Sequence, residues 1–259
     1  MDDRKLREIF DTDAALYDRA RPTYPAEVFA DLAELTGVRA GSQVIEIGPG
    51  TGQATRGLLG LGAHVTAVEL GPQLAAALHA NLPEVEVINT AFEDWTPSRP
   101  VDLVTSFTAW HWVDPTVRAQ RVHDALRPGG HLATVTTAHV RGGTADFFDE
   151  AQKSYLRWDP ATDPDERLLP PEQIPPVTDE IDSSQLFGPA TRRRYLRDIA
   201  YTADSYLDVL RTYSGHRALP DAARTGLLSE LRSLIENQHG GMITKTYLYE
   251  LRVAQAYHP

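Results

Sequence analysis

The sequence predicts an α/β chain built on a doubly wound, mostly parallel sheet. Three observations carry this. Short β-rich runs alternate with helical stretches between Gln43 and Ala138, a glycine-rich loop closes the first run, and an acidic residue closes the second. Strands are read at Gln43–Ile47, His64–Leu70, Val85–Asn89, Val101–Phe107 and His131–Ala138. Helices are read between them at Gln53–Leu61, Gln73–Ala80 and Thr116–Leu126. Pro72 opens the second of these helices in the favoured first-turn position. The run RPGG ends the third, with glycine following the helix. Such alternation builds parallel βαβ units with right-handed crossovers. Ligands of these sheets bind beyond the carboxyl ends of the strands, where the strand order reverses.

The flanking segments follow a different pattern. Residues 1–36 read as two amphipathic helices around LYDRARPTYP, interrupted by Pro22 and Pro25. Residues 140–190 hold a helical run, Asp146–Tyr155, and the proline-rich stretch RLLPPEQIPP. A connection this long is expected to be a lid or binding segment, here a cap inserted over the strand ends. Thr191–Tyr201 reads as a sixth strand, Ala203–Tyr213 and Ala222–Asn237 as helices, and GGMITKTYLYELRVAQ as the final strand. The expectation is one domain over residues 1–259: a helical lid (1–36), a core (40–138), the cap (140–190) and a C-terminal part (191–259) that completes the sheet.

Composition narrows the function classes. The chain has 259 residues, 42% of them hydrophobic, enough for a true core. Zero cysteines exclude disulfides, thiolate metal sites and cysteine nucleophiles. A net charge of −11 argues against nucleic-acid binding, which needs lysines and arginines facing phosphates. No run of ~18 apolar residues exists to span a membrane. The charged start MDDRKLREIFDTDAA is no secretory signal, so a cytoplasmic location is expected. No His or acid spacing suggests a metal site.

The sharpest motif is Glu46-Ile47-Gly48-Pro49-Gly50-Thr51-Gly52, at a strand end and a helix start. Glycines let the backbone turn tightly and approach a ligand, while the helix start offers N–H groups to an anion, phosphate or carboxylate alike. The third glycine of a dinucleotide fingerprint is replaced by Gln53, and no Gly-Lys-Ser/Thr follows, which excludes a P-loop. Glu69 lies 21 residues after Gly48, at the end of the second strand, where a carboxylate accepts hydrogen bonds from both ribose hydroxyls.

Several ordered motifs together resemble the class I S-adenosylmethionine-dependent methyltransferases: VIEIGPGTGQAT, VTAVEL, AFEDW, VDLVTSFTAWHW and LRPGGHLATV, over residues 40–138. More narrowly, LYDRARPTYP and AWHWVD resemble a small-molecule branch that includes trans-aconitate methyltransferase-like proteins. The resemblance implies a Rossmann-like seven-stranded sheet with its last strand antiparallel, S-adenosylmethionine as cofactor and S-adenosylhomocysteine as product. It implies Gly48 and Gly50 against the methionine portion, with Glu46 near its amino group. Glu69 then holds the ribose and Leu70 packs on the adenine. The Phe92 N–H and Glu93 or Asp94 read the adenine edge, although the acidic residue often found two positions before Glu93 is Ala91 here. Ser106 and Phe107 lie under the sulfonium, and Tyr17, Arg21 and Tyr24 close over the cofactor.

Methyl transfer is an in-line displacement in which alignment and exclusion of water dominate. A base matters only where the acceptor must lose a proton. His111, just past the fourth strand, is the best candidate, with Tyr24 as a second group to relay or orient a proton. Trp110 and Trp112 flank His111 and favour an aromatic or apolar acceptor, with His139 and His239 as further candidate pocket residues. The expected partner is a small molecule, with no nucleic acid and no membrane, and the chain a monomer or homodimer. The alternative is a non-catalytic cofactor-binding protein or partner subunit.

Overall fold

A computed structural model describes residues 13–257; the part of the lid read in residues 1–12 lies outside them. Seven strands form one sheet in the order β3-β2-β1-β4-β5-β7-β6. They are β1 (Gln43–Ile47), β2 (His64–Glu69), β3 (Glu86–Asn89), β4 (Val101–Phe107), β5 (Leu126–Val140), β6 (Thr191–Thr202) and β7 (Met242–Gln255). The first five pair in parallel, and β7 runs antiparallel to both β5 and β6. The order reverses between β1 and β4, where Ile47 pairs with Ser106. β1 is buried over Val44–Ile47, as a central parallel strand covered on both faces must be.

Successive side chains feed opposite faces. Val44, Leu103, Ala133 and Leu251 enter one core with Val28 and Leu32 of α2 (Ala26–Thr36) and with Leu227, Leu231 and Ile235 of α10 (Asp221–Gln238). Ile45, Val104, Leu132 and Ala254 enter the other with Phe92, Trp110 and Val122 of α5 (Arg118–Ala125). The remaining helices are α1 (Ala14–Ala20), α3 (Thr55–Gly60), α4 (Pro72–Asn81), α6 (Ala145–Trp158), α7 (Glu180–Ser183), α8 (Ala203–Arg211) and α9 (Ser214–Ala218).

Two readings are corrected. RPGG does not cap the helix: α5 stops at Ala125, Leu126 already pairs with Val101, and Gly129 at φ +76° turns the chain inside β5. Strand pairing takes over before the glycines are reached. Second, no residue of 140–190 lines the pocket described below. α6 buries Phe147 and Ala151 in the first core, and Ile181 and Phe187 join the second. Charge pins the stretch between: the Arg252 guanidinium donates to Asp179 at 2.7 and 2.8 Å, and the Val177 N–H donates to Glu250 at 3.0 Å. The arginine run 192–194 on edge strand β6 is likewise paired rather than free in solvent. Arg192 binds Asp182, Arg193 binds Asp31 and Glu34, and Arg194 binds Glu250.

Candidate active site

A cavity of about 380 Å³ opens where the strand order reverses, within the usual range for small-ligand sites. Its two ends differ in charge. The first is built by the glycine loop. Gly48 and Gly50 have φ of +65° and +62°, and a Cβ on Gly48 would stand 2.5 Å from the Ala109 Cβ. Tyr17 of α1 lies against Gly50, 3.1 Å from where its Cβ would be. Only glycine accepts both the left-handed backbone and these neighbours.

Carboxylates line this end. The Glu69 carboxylate accepts from the Gly50 N–H at 3.0 Å and the Gly71 N–H at 2.9 Å, so it also fixes the loop's shape. Glu46 is fully buried, and the Thr55 hydroxyl donates to its Oε2 at 2.7 Å. Its Oε1 is buried with no hydrogen-bond partner among the described residues. Burial pushes the Glu46 carboxyl up to about 7, and the nearby Glu69 charge adds to this against the Thr55 hydrogen bond. Glu93 lines the wall while accepting from the Asp114 N–H at 2.8 Å. Phe92 is buried beside it, and Leu70, 39% exposed, offers an apolar face at the cavity.

The middle of the cavity rests on Thr108, a non-glycine residue at φ +57°. Such a conformation costs on the order of 1–3 kcal/mol and persists only where its surroundings enforce it. Here the Thr108 N–H donates to Val135 at 2.7 Å, and its hydroxyl lies 3.0 Å from both Tyr24 Oη and Thr137 Oγ1. Burial raises the Tyr24 phenol far above its ordinary range, so it stays protonated near neutral pH. A phenol so held can orient or donate, and cannot abstract a proton at that pH. His111 stands exposed on the rim in the short turn Trp110–Trp112, its ring 4.6 Å from that of Trp112, and both line the cavity.

The far end is basic and aromatic. Arg21 lines it, donating to the Thr212 carbonyl at 3.1 Å and lying 4.6 Å over the Tyr213 ring. His139 reaches into the cavity, with Nε2 3.2 Å from Tyr213 Oη and its ring 5.4 Å from Tyr247. Burial, with the charges of Lys245 and Arg21, holds the His139 imidazole well below its usual range.

The structure thus brings Tyr17, Arg21, Tyr24, Glu46, Gly48, Gly50, Glu69, Leu70, Phe92, Glu93, His111, Trp112 and His139 to one cavity. Three expected residues are not among its walls. Ser106 is fully buried and donates to the Ile47 carbonyl at 3.1 Å, tying β4 to β1. Trp110 points into the second core, its indole N–H donating to Asp179 at 2.8 Å and Arg118 lying 4.6 Å over its ring. It anchors the turn that presents His111 and Trp112. His239 packs 5.5 Å from Phe147, near Glu150, away from the cavity. Thr108, Thr137, Tyr213, Tyr247 and Tyr249 are walls that the sequence reading missed. An alternating Tyr247 and Tyr249 on a central strand was the available signal for two of them. Among the described residues no His, Asp and Glu cluster is placed to hold a metal, and no helix is long and apolar enough to cross a membrane.

The sheet order departs from the all-parallel 3-2-1-4-5-6 of dinucleotide folds by the antiparallel β7. Residues 45–134 match the model of the family described as methyltransferase domain. With this sheet and loop, that match supports a class I S-adenosylmethionine-dependent methyltransferase domain. An uncharacterised methyltransferase of Mycobacterium tuberculosis is 38% identical over 133 residues, 51% of this chain and 53% of the relative. The chain spans about half the length of the curated relatives it matches. A candidate type II methyltransferase from Anaeromyxobacter dehalogenans shares the fold at TM-score 0.58 and 21% identity, over 91% of this chain and 97% of that one. A methyltransferase from Geobacter sulfurreducens, solved with S-adenosylhomocysteine, aligns at TM-score 0.51 and 13% identity, over 98% of each chain. These matches support a methyltransferase domain and no narrower branch.

Proposed function

We propose that the chain transfers the methyl group of S-adenosylmethionine to a small organic acceptor held at the other end of this cavity. The observation that carries the reading is Glu46. A buried carboxylate oxygen without a donor is expensive, and native folds rarely keep one without a reason. An ammonium group beside the glycine loop supplies the missing donor and fits the residues present. Glu46 then receives the amino group of the cofactor, Gly48 and Gly50 pass its methionine part, Glu69 accepts from the ribose, and Leu70 and Phe92 flank the adenine. Bound there, the cofactor supplies a methyl group on a positively charged sulfur.

The chain's own work is alignment and drying. Tyr17 covers the loop with Arg21 5.0 Å over its ring, and Tyr24, fixed by Thr108, and Phe107 form an apolar floor with rings 4.9 Å apart. Holding two reactants in line accounts for ~7–11 kcal/mol of a barrier, more than the ~10²–10⁴-fold typical of a base. His111 on the rim takes a proton where the acceptor must lose one. His111→Ala is expected to leave affinity for S-adenosylhomocysteine within about twofold and to lower turnover about tenfold or more. Unchanged turnover would remove that role.

Calorimetric titration with S-adenosylhomocysteine, with NADH as control, tests the reading. Micromolar binding of the homocysteine compound alone is expected. Binding of NADH alone, or of neither, would overturn it.

A further inference from the structure

We propose that the methyl acceptor carries an oxyanion, a carboxylate or a phosphate, and that this group docks at the basic end of the cavity among Arg21, His139 and Lys245. The proposal rests on the methyl-donor reading above and names the acceptor class for it. Lys245 on β7 supplies the first observation. It is 4% exposed, and its ammonium lies 5.5 Å from the rings of Tyr206 and Tyr247, 5.6 Å from Phe148 and 5.9 Å from Tyr213. Two of those rings, Tyr213 and Tyr247, are walls of the cavity. No carboxylate pairs with it and no hydrogen bond reaches it among the described residues. Ring faces attract a cation, but they do not neutralise it. A buried ammonium lacking an anion is otherwise a liability that folds avoid.

The neighbours of Lys245 deepen the imbalance. Arg21 comes from the turn after α1, His139 from β5, His216 from α9, and the titratable phenols Tyr206, Tyr213 and Tyr247 from α8, the α8–α9 turn and β7. Tyr155 of α6 lies behind them, 2.9 Å from His216 Nε2. Burial and the Arg21 charge push Lys245 down to about 7. Burial and the Lys245 charge push His216 down to about 4. Burial, with the charges of Lys245 and Arg21, likewise holds His139 down. Asp159 is the carboxylate that acts on this group, through His216, and it is outweighed there. The two imidazoles are therefore neutral near pH 7 and Lys245 is only about half charged, so an arriving anion would meet Arg21 and a Lys245 that regains its proton.

The opposite end points the same way. It is lined by Glu46, Glu69 and Glu93 and, on the reading above, filled by the methyl donor, which leaves the other end for an anion of the acceptor. The apolar middle, Tyr24, Phe107 and Trp112, then holds the body of the acceptor. This reverses the preference for an aromatic or apolar acceptor that the tryptophan pair suggested, since Trp110 points into the second core. On this proposal the acceptor's anion faces away from the glycine loop.

Lysine NMR tests this. Lys5, Lys153 and Lys245 are the only lysines in the chain, so ¹³Cε-lysine labelling gives a short spectrum, and loss of one signal in Lys245→Met assigns the third. In protein saturated with S-adenosylhomocysteine, benzoate or inorganic phosphate is expected to raise the Lys245 pKa by at least one unit, whereas benzamide is not. A response to benzoate alone marks a carboxylate site, and to phosphate alone a phosphate site. In calorimetry, Lys245→Met, with Lys245→Gln as a second variant, is expected to weaken the effective anion at least tenfold while changing affinity for S-adenosylhomocysteine less than twofold. Tight binding of S-adenosylhomocysteine with no response of Lys245 to either anion would overturn the proposal and leave the donor reading standing. Failure of S-adenosylhomocysteine to bind would overturn both.

Discussion

The two ends of the cavity are built in opposite ways. The glycine-loop end is acidic, and its parts lie close in sequence: Glu46, Gly48, Gly50 and Glu69 sit on one strand–loop–helix–strand unit. The other end is basic, and its parts come from far apart: Arg21, His139, Tyr213 and Tyr247 line it, and the Lys245 ammonium lies against the last two rings. Each end carries the charge that a partner of opposite sign would complete, a buried carboxylate oxygen at one and a caged ammonium at the other. The difference teaches that one cavity of about 380 Å³ can hold two polarities.

The largest expected effect breaks the acidic end alone. Gly48→Val must place a branched side chain at φ +65° with its Cβ 2.5 Å from that of Ala109. Affinity for S-adenosylhomocysteine is expected to fall more than about 100-fold, or ~3 kcal/mol. The Lys245 response to anions should persist, and thermal melting should show the fold retained.

The next effect sharpens the basic end, and it is a gain in stability. Lys245 titrates at about 7 in the folded chain against an ordinary 10.5. Between those values the unfolded chain binds more protons, so stability rises with pH across the window, and the cost of the buried charge is full below it. Lys245→Met removes that cost. The variant should be more stable by a few kcal/mol at pH 6, raising Tm by about 5–10 °C, with the gain shrinking toward pH 10. An equal or lower Tm at pH 6 would mean that the cage already compensates the charge.

A smaller effect probes the join between the ends. Tyr24→Phe removes the hydroxyl that meets Thr108 at 3.0 Å and leaves a buried oxygen still served by Thr137. Turnover should fall by about three- to tenfold, near the ~1 kcal/mol of an ordinary hydrogen bond, with affinity for S-adenosylhomocysteine nearly unchanged. A loss confined to cofactor affinity would instead place Tyr24 wholly with the donor end.

Most of the fold was legible, because local pattern and parallel pairing agree: the β-rich runs read at 43–47, 64–70 and 101–107 became strands at nearly those bounds. RPGG misled, because the same glycine that ends a helix also serves as a turn inside a strand, and only the Leu126–Val101 pairing decides between them. The proline-rich segment was misplaced for a related reason. Its course is set by Asp179 meeting Arg252 and Val177 meeting Glu250, 73 residues apart in each case. Within the site, the contiguous acidic end could be read from spacing. The basic end could not, since a lone Lys245 or Tyr213 has no local signature. Trp110 and Trp112 illustrate the limit: they are two residues apart in one tight turn, yet one faces the core and the other the cavity.

The central claim is that Glu46 receives the amino group of the methyl donor. Calorimetric titration with S-adenosylhomocysteine at pH 6, in two buffers of different ionisation enthalpy, tests it most directly. Glu46 titrates at about 7 in the free protein, so it is mostly protonated at that pH and must ionise to hold an ammonium group. Micromolar binding should release close to one proton at pH 6 and almost none at pH 8, and Glu46→Gln should abolish the release and weaken binding about 10–100-fold. Binding without proton release at pH 6, or the same release from Glu46→Gln, would contradict it.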